Sequence, residues 1–166
     1  MGRLIVAVVV AYVAMALLIM SLFAGMWFGL GPDGLLKPGS FKGNLLITIA
    51  APSITVLGGL FGGWLCRRIA HGGSGGGEGT TRATRGRGAV MVLAGVVLVL
   101  GMVMAYFTLQ KPYPADPRPA GMTVQEIMEV GREPTWVALS NPIAGAAAVL
   151  IGGLVVGVRR KGSRAG

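Results

Sequence analysis

Residues 45–68 read LLITIAAPSITVLGGLFGGWLCRR, and the architecture of the chain follows from this stretch. Positions 45–66 carry no charge. A helix needs roughly 20 apolar residues to cross about 30 Å of hydrocarbon, because it rises about 1.5 Å per residue. Arg67 and Arg68 then end the apolar run. The stretch therefore predicts a membrane-spanning helix with arginines at one end.

Three further segments have the same character, at residues 4–30, 89–109 and 136–158. The whole chain of 166 residues is 53% hydrophobic and only 13% charged, whereas a water-soluble domain carries about 25% charge. Its apolar runs are continuous, without the alternation of a membrane β-barrel strand. Residues 4–30 are also longer than the apolar region of a signal peptide, about 7 to 15 residues. We therefore predict one all-α membrane domain over residues 1–166, with four transmembrane helices.

The charges outside the four spans are distributed unevenly between the two sides of the membrane. The segments before the first span, between the second and third, and after the fourth carry ten basic residues against one acid, Glu78. The two other loops, 31–44 and 110–135, carry five charges of each sign. Short cytoplasmic loops accumulate Lys and Arg. The pattern predicts a multi-pass protein of the bacterial cytoplasmic (inner) membrane, with both termini and the loop 67–88 in the cytoplasm.

The loop 67–88 is predicted to be a flexible tether, because glycine fills most of positions 72–79. A glycine run has no side chains to bury and loses much backbone entropy on ordering. This run also lacks the Lys and Ser/Thr of a phosphate-binding loop. Arg82, Arg85 and Arg87 follow it and are expected to lie near anionic lipid headgroups. Because orientation alone accounts for the net charge of +9, we predict no nucleic-acid partner.

Small residues on two of the spans are spaced for close helix packing. The second span carries two G-x-x-x-G pairs, and the fourth has glycines that suit the same kind of contact. The candidate packing residues are Gly58, Gly59, Gly62, Gly63, Gly152, Gly153 and Gly157. They favour contact between the second and fourth spans of one chain, with contact between two copies as the alternative. Gly101, in the third span, is expected to matter less if that span is peripheral.

The same two spans each contain a proline in the half nearer the outer side. Pro52 is followed by Ser53, and Pro142 is preceded by Ser140 and Asn141. A proline inside a helix removes one backbone hydrogen bond and tends to kink the helix. The neighbouring hydroxyl and amide groups either satisfy the freed carbonyl groups or line a small polar pocket. The structural kink is the favoured interpretation, because no charged group accompanies these residues.

The second outer loop, 110–135, contains four prolines in its first half and predicts a short extra helix in its second half. Thr123 and Glu126 have the spacing of a capping box, in which each residue hydrogen-bonds to the other. The apolar side of the helix consists of Val124, Ile127 and Met128. This side is expected to dock on the outer end of the chain's own bundle or on a partner protein.

No group of residues in the sequence has the composition of a catalytic or metal site. The four spans contain no Asp, Glu, His, Lys or Arg, the residues that usually mark proton or ion paths in membranes. Cys66 and His71 are the single cysteine and histidine, so this chain alone cannot supply a Cys/His zinc site. His71 is expected to be solvated. We predict no enzyme activity, no cofactor and no metal.

Three stretches together carry a resemblance: KPGSF at 37–41, GGWLC at 62–66, and EPTWVAL at 133–139, which runs into Asn141 and Pro142. In these stretches the chain resembles a group of small four-pass bacterial inner-membrane proteins with no assigned activity. The resemblance implies the class and the membrane location, and it implies no functional residue.

These patterns favour a non-catalytic integral membrane protein, a structural or accessory component that packs with a larger membrane assembly or with its own copies. The charge-free spans, the small-residue faces and the ordered part of the outer loop motivate this prediction. One alternative is a small transport or channel component that uses the proline-containing second and fourth spans. A membrane enzyme is the third possibility.

Overall fold

The computed structural model describes residues 2–71, 79–115, 117–119, 121–130 and 134–158. Within these ranges the chain forms five α-helices and no β-strand. The helices are α1 (Gly2–Leu35), α2 (Leu45–His71), α3 (Gly79–Gln110), α4 (Val124–Val130) and α5 (Thr135–Val158). All except α4 are long and apolar enough to cross a membrane. The predicted all-helical architecture with four long apolar helices is confirmed.

The long helices extend past the charge-free segments from which they were predicted. α2 continues through Arg67 and Arg68 to His71, and α3 begins at Gly79. The predicted flexible loop 67–88 is therefore helical at 67–71 and again at 79–88, while 72–78 lie outside the described residues. Charge ends an apolar run but not a helix, because arginine is a good helix former.

The connection between α1 and α2 is a compact reversal. α1 is broken at Gly31, whose φ of 67° lies in the left-handed region that glycine adopts without a steric penalty. Beyond it, the Lys37 backbone N–H donates to the Lys42 carbonyl at 2.9 Å. The Asn44 N–H donates to the Leu35 carbonyl, also at 2.9 Å. These hydrogen bonds close the turn and bring the two helices together as an antiparallel pair.

α2 is the central helix of the bundle. It packs against α5 on one side and α1 on another, and α3 lies against α5 and α2. We call the end at which α1 begins and α2 ends the basic end, after Arg3, Arg67, Arg68 and Arg87. The opposite end is the α4 end. The core lies mostly toward the basic end and includes Ala7, Val8, Ala11, Met15, Cys66, Ala89, Val90, Leu93, Ala94, Ala146 and Val149.

Two polar contacts join the loops at the α4 end. The Arg118 backbone N–H donates to the Gly39 carbonyl at 2.8 Å. The Arg118 guanidinium also pairs with the Asp33 carboxylate. The Arg118 side chain is 10% exposed in this arrangement, so it lies largely beneath the loop surface. These contacts tie the α1–α2 turn to the chain that follows α3.

Candidate functional site

The first candidate feature is the contact between α2 and α5, where two helix backbones meet without intervening side chains. A Cβ atom added at Gly59 would lie 2.7 Å from both the Ala148 Cβ and the Gly145 carbonyl oxygen. A Cβ at Gly63 would overlap the Val149 backbone, and one at Gly152 would overlap the Leu60 backbone. A larger residue at these positions must therefore push the helices apart. Within the described chain, this contact joins the second and fourth spans.

The remaining small residues of these helices face other neighbours. A Cβ at Gly58 would lie 2.5 Å from Ile19 Cγ1, and one at Gly62 would lie 3.0 Å from the Met15 sulfur, so both face α1. A Cβ at Gly153 would lie 2.6 Å from Val90 Cγ1 of α3. The surroundings of Gly157 lie outside the described side chains. The small-residue set thus serves three helix contacts rather than one.

Gly101 of α3 lies in a contact that the sequence analysis did not anticipate. A Cβ atom there would lie 2.8 Å from Pro142 Cβ on α5. α3 is therefore not peripheral at this level, and the expectation that Gly101 matters less is not supported by its surroundings. The sequence did contain a signal for this contact, because Ala105 lies four residues after Gly101. In the structure Ala105 is 5% exposed. Small residues four apart are the same packing pattern that was recognised on the other helices.

The second candidate feature is a cavity of about 490 Å³ between α1 and α3, backed by α2 and α5. The two flanking helices contact each other near the basic end through the core cluster. Beyond Met15 the cavity lies between them. Its walls are formed by Tyr12, Met15, Ala16, Ile19, Met20, Thr55, Val97, Leu100, Gly101, Met104, Ala105, Thr108, Ala138, Asn141 and Pro142. Most of the lining is apolar, and none of it is charged.

The polar groups of this cavity differ in how they are satisfied. The Thr55 hydroxyl donates to the Ala51 carbonyl at 3.1 Å, and the Thr108 hydroxyl donates to the Met104 carbonyl at 2.9 Å. Asn141 Oδ1 is buried and has no hydrogen-bond partner in the described part of the chain. A buried acceptor without a partner costs about 1–3 kcal/mol. Asn141 is therefore the group in this cavity that a ligand could satisfy.

The five residues predicted as a kink or polar pocket are not brought together at one site. Asn141 and Pro142 line the cavity, whereas Pro52, Ser53 and Ser140 do not. The exposed Ser53 hydroxyl donates to the Ile49 carbonyl at 2.8 Å, four residues earlier. The Ser140 hydroxyl lies 3.4 Å from the Val137 carbonyl. Both hydroxyls bond within their own helix, but not to the carbonyls of Thr48 and Ala138, which are the ones that the two prolines free.

Most of the cavity lining was missed by sequence reasoning. The walls from α1 and α3 consist mainly of ordinary apolar residues such as Ile19 and Leu100. Nothing in the local sequence distinguishes such residues from lipid-facing ones. Tyr12 and Thr108, polar side chains within the first and third spans, were the available signals. The cavity depends on which helices are neighbours, and periodicity within one helix does not report this.

The α4 segment packs on its own chain. The Thr123 N–H and hydroxyl both donate to Glu126 Oε2, at 2.7 and 2.8 Å, and the Glu126 N–H donates back to the Thr123 hydroxyl at 3.3 Å. The hydrogen bonds from the Thr123 backbone and side chain lower the pKa of Glu126. Ile127 is 3% exposed, and α4 contacts α1.

The apolar side of α4 was predicted to dock either on the chain's own bundle or on a partner protein. Ile127 is covered within the chain. Val124 is half-buried, and the Met128 side chain lies outside the described side chains. Glu126 and Glu129 are exposed. Among the described side chains, α4 therefore exposes two acidic residues and Val130.

The basic end contains a buried arginine that the sequence analysis placed in a loop. Arg67 is 8% exposed, and its guanidinium donates to the Gly153 carbonyl of α5. Arg68 lies over the Trp64 ring at 5.1 Å, and Cys66 is fully buried. His71, expected to be solvated, is half-buried, and its Nδ1 lies 2.9 Å from the Arg67 carbonyl oxygen.

The other arginines of this region are described less fully. The side chains of Arg82 and Arg85 lie outside the described part of the structure, and Arg87 is exposed. Among the described residues, no group of three or more His, Cys, Asp or Glu side chains could hold a metal ion.

No known protein family, curated protein or solved structure matches the chain.

Proposed function

We propose that the chain is an integral protein of the bacterial cytoplasmic membrane and a non-catalytic accessory component of a larger membrane assembly. The four long apolar helices support membrane insertion. The excess of Lys and Arg toward the basic end supports an orientation with both termini in the cytoplasm. Arg82, Arg85 and Arg87 would then lie beside anionic lipid headgroups. On this proposal the chain contributes a packing surface rather than a reaction.

The observation that carries the proposal is an uncovered face on the second half of α1. Ser21, Gly25 and Gly29 recur every four residues, and all three are exposed. A Cβ atom added at Gly25 or Gly29 would meet no atom within 4 Å. The neighbouring Phe28 is 82% exposed. The glycine pairs of α2, by contrast, are covered by α1 and α5.

Such a face is suited to another transmembrane helix. Lipid is as apolar as leucine, so helices associate in a membrane where small residues allow their backbones to approach closely. Residues 4–30 carry no charge, so the complementary surface is an apolar helix of a partner membrane protein. A second copy of this chain is the other occupant that the experiment would reveal.

The test replaces Gly25 and Gly29 together by leucine and measures copurification from membranes in a mild detergent. Gly95→Leu is the matched control. A Cβ at Gly95 also meets no atom within 4 Å, but Met91 and Val99 flank it at the four-residue spacing, so it lies on no small-residue face. Neither variant should be less thermally stable than the parent, because neither glycine position is covered within the chain.

We expect a stoichiometric membrane partner to copurify with the parent and with Gly95→Leu, and to be lost from the Gly25→Leu, Gly29→Leu variant. Loss of a homo-oligomer instead would identify the partner as a second copy. Equal recovery of partners by all three proteins would show that the α1 face binds no partner. The proposed function would then lose its basis.

A further inference from the structure

The cavity between α1 and α3 is unexplained by a packing role, since it leaves a buried amide oxygen without a partner. Asn141 Oδ1 is the unsatisfied acceptor. The volume of about 490 Å³ lies within the range of about 300–1,000 Å³ that is typical of small-molecule sites. Such sites combine an apolar lining with a few placed polar groups. The cavity has this composition.

The shape of the cavity favours an elongated occupant. On α3 the lining runs from Val97 to Thr108. Eleven steps along a helix, at 1.5 Å each, correspond to about 16 Å. Asn141 lies about 9 Å along α5 from its first residue, Thr135, by the same rise. Because its neighbour Pro142 meets Gly101, Asn141 lies near the middle of this length. An elongated occupant that lies along α3 and carries a polar group part-way along the cavity fits this arrangement.

The position of the cavity indicates where the occupant comes from. Met20, Leu100 and Met104 line the cavity and are also 68%, 42% and 67% exposed. These side chains belong to helices that are apolar enough to span a membrane, so the opening between α1 and α3 would face lipid. No charged residue lines the cavity. A charged headgroup would therefore lose its hydration there without gaining a counterion.

We propose that this cavity binds one uncharged lipid that carries a hydroxyl group, such as a diacylglycerol. One of its acyl chains lies between α1 and α3, and its hydroxyl donates a hydrogen bond to Asn141 Oδ1. A carbonyl oxygen accepts and does not donate, so the ligand must supply the proton of this hydrogen bond. The same bond removes the unsatisfied acceptor from the interior.

The site is independent of the packing face proposed above. Gly25 is nine residues from Ala16, which lines the cavity. At 3.6 residues per turn, these positions lie on opposite sides of α1. Loss of lipid binding and loss of a protein partner are therefore separable results.

The experiment uses the full-length protein in phosphatidylcholine vesicles with a diacylglycerol that has a photoreactive group in its acyl chain. A second probe is identical except that its hydroxyl is methylated, so it cannot donate. Both probes are titrated against the parent and Asn141→Leu, and the labelled protein is counted by mass spectrometry. Leucine removes the amide while keeping a similar size. Ser53→Ala serves as the control variant, because that hydroxyl is outside the cavity.

The parent should be labelled at one site by the hydroxyl probe, with cross-links on α1 or α3. Asn141→Leu should bind this probe about three- to tenfold more weakly, in line with one hydrogen bond of about 0.5–1.5 kcal/mol. Methylation should weaken binding to the parent by a similar factor and have little further effect on Asn141→Leu, as expected for a coupled pair. Ser53→Ala should behave as the parent.

Ala16→Phe provides a second test that does not depend on the amide, because the larger side chain fills part of the cavity. It should reduce labelling by both probes. Equal binding of the two probes to the parent would show that this hydrogen bond does not form. Unchanged binding of the hydroxyl probe to Asn141→Leu would show the same. Absence of saturable labelling in the parent would overturn the lipid site itself and favour water as the partner of Asn141.

Discussion

Single glycines in this bundle differ sharply in what surrounds them, although the sequence makes them look alike. Gly63 lies against the backbone of Val149, so no side chain fits there without moving a helix. Gly101 meets a proline side chain, and Gly95, six residues away on the same helix, meets no atom within 4 Å. The effect of a substitution is therefore set by the neighbouring helix rather than by the glycine.

This contrast gives a prediction within one helix. Gly101→Leu should destabilise the protein by about 1–3 kcal/mol, the usual cost of overpacking, because its side chain would collide with Pro142. Gly95→Leu should be neutral or stabilising by up to about 1 kcal/mol, because leucine forms helices better than glycine. Thermal unfolding in detergent compares the two. Equal melting temperatures would mean that the α3–α5 contact is looser than its geometry implies.

At the scale of an element, α4 depends on one buried side chain. Ile127→Ser should lose about 1.5–3 kcal/mol of burial and release α4 from α1. Val130→Ser is the matched control, since Val130 is 44% exposed on the same helix. Limited proteolysis of the connection between α3 and α5 should be faster in Ile127→Ser than in the parent or the control. Cleavage at the parental rate would show that this contact does not hold the segment in place.

The capping hydrogen bonds make the same element sensitive to acid. Because the folded state lowers the pKa of Glu126, its contribution is present above the unfolded value, about 4.3, and is lost as pH falls through the lower folded value. Proteolysis by an acid-active protease should therefore accelerate as pH falls below about 4.3. Glu126→Gln should weaken this dependence. An unchanged profile in that variant would assign the acid response to other carboxylates.

For the whole molecule, orientation is the prediction that follows most directly from charge. Ten basic residues against one acid on one side, and five of each sign on the other, form a steep bias over short flanks. Reporter fusions after Gly79 and Gly166 should report the cytoplasm, and fusions near Asp116 should report the outside. An external signal at Gly79 would contradict the four-span topology.

The four long helices were predictable because the length of an apolar run is a local property of the sequence. The ends of these helices were less predictable. Arg67 stops the apolar run, but the helix continues and the Arg67 side chain enters the α2–α5 contact. The role of Gly101 and the unsatisfied oxygen of Asn141 depend on which helices lie side by side. A single sequence contains little information on which helices pack together. It does not identify the apolar residues that line the cavity.

The enclosed position of α5 has a consequence for how the protein is made. Its most apolar window has a mean hydropathy of 1.7, the lowest of the four candidate spans, and is 50% buried against 22% in each of the others. The ribosome also delivers α5 after α1, α2 and α3. If the chain is inserted in a membrane as proposed, Gly59 and Gly63 would face lipid until then, because no α5 is present to cover them. A nascent chain that stops before α5 would therefore expose a small-residue surface that the finished protein covers, and this surface could bind other apolar helices.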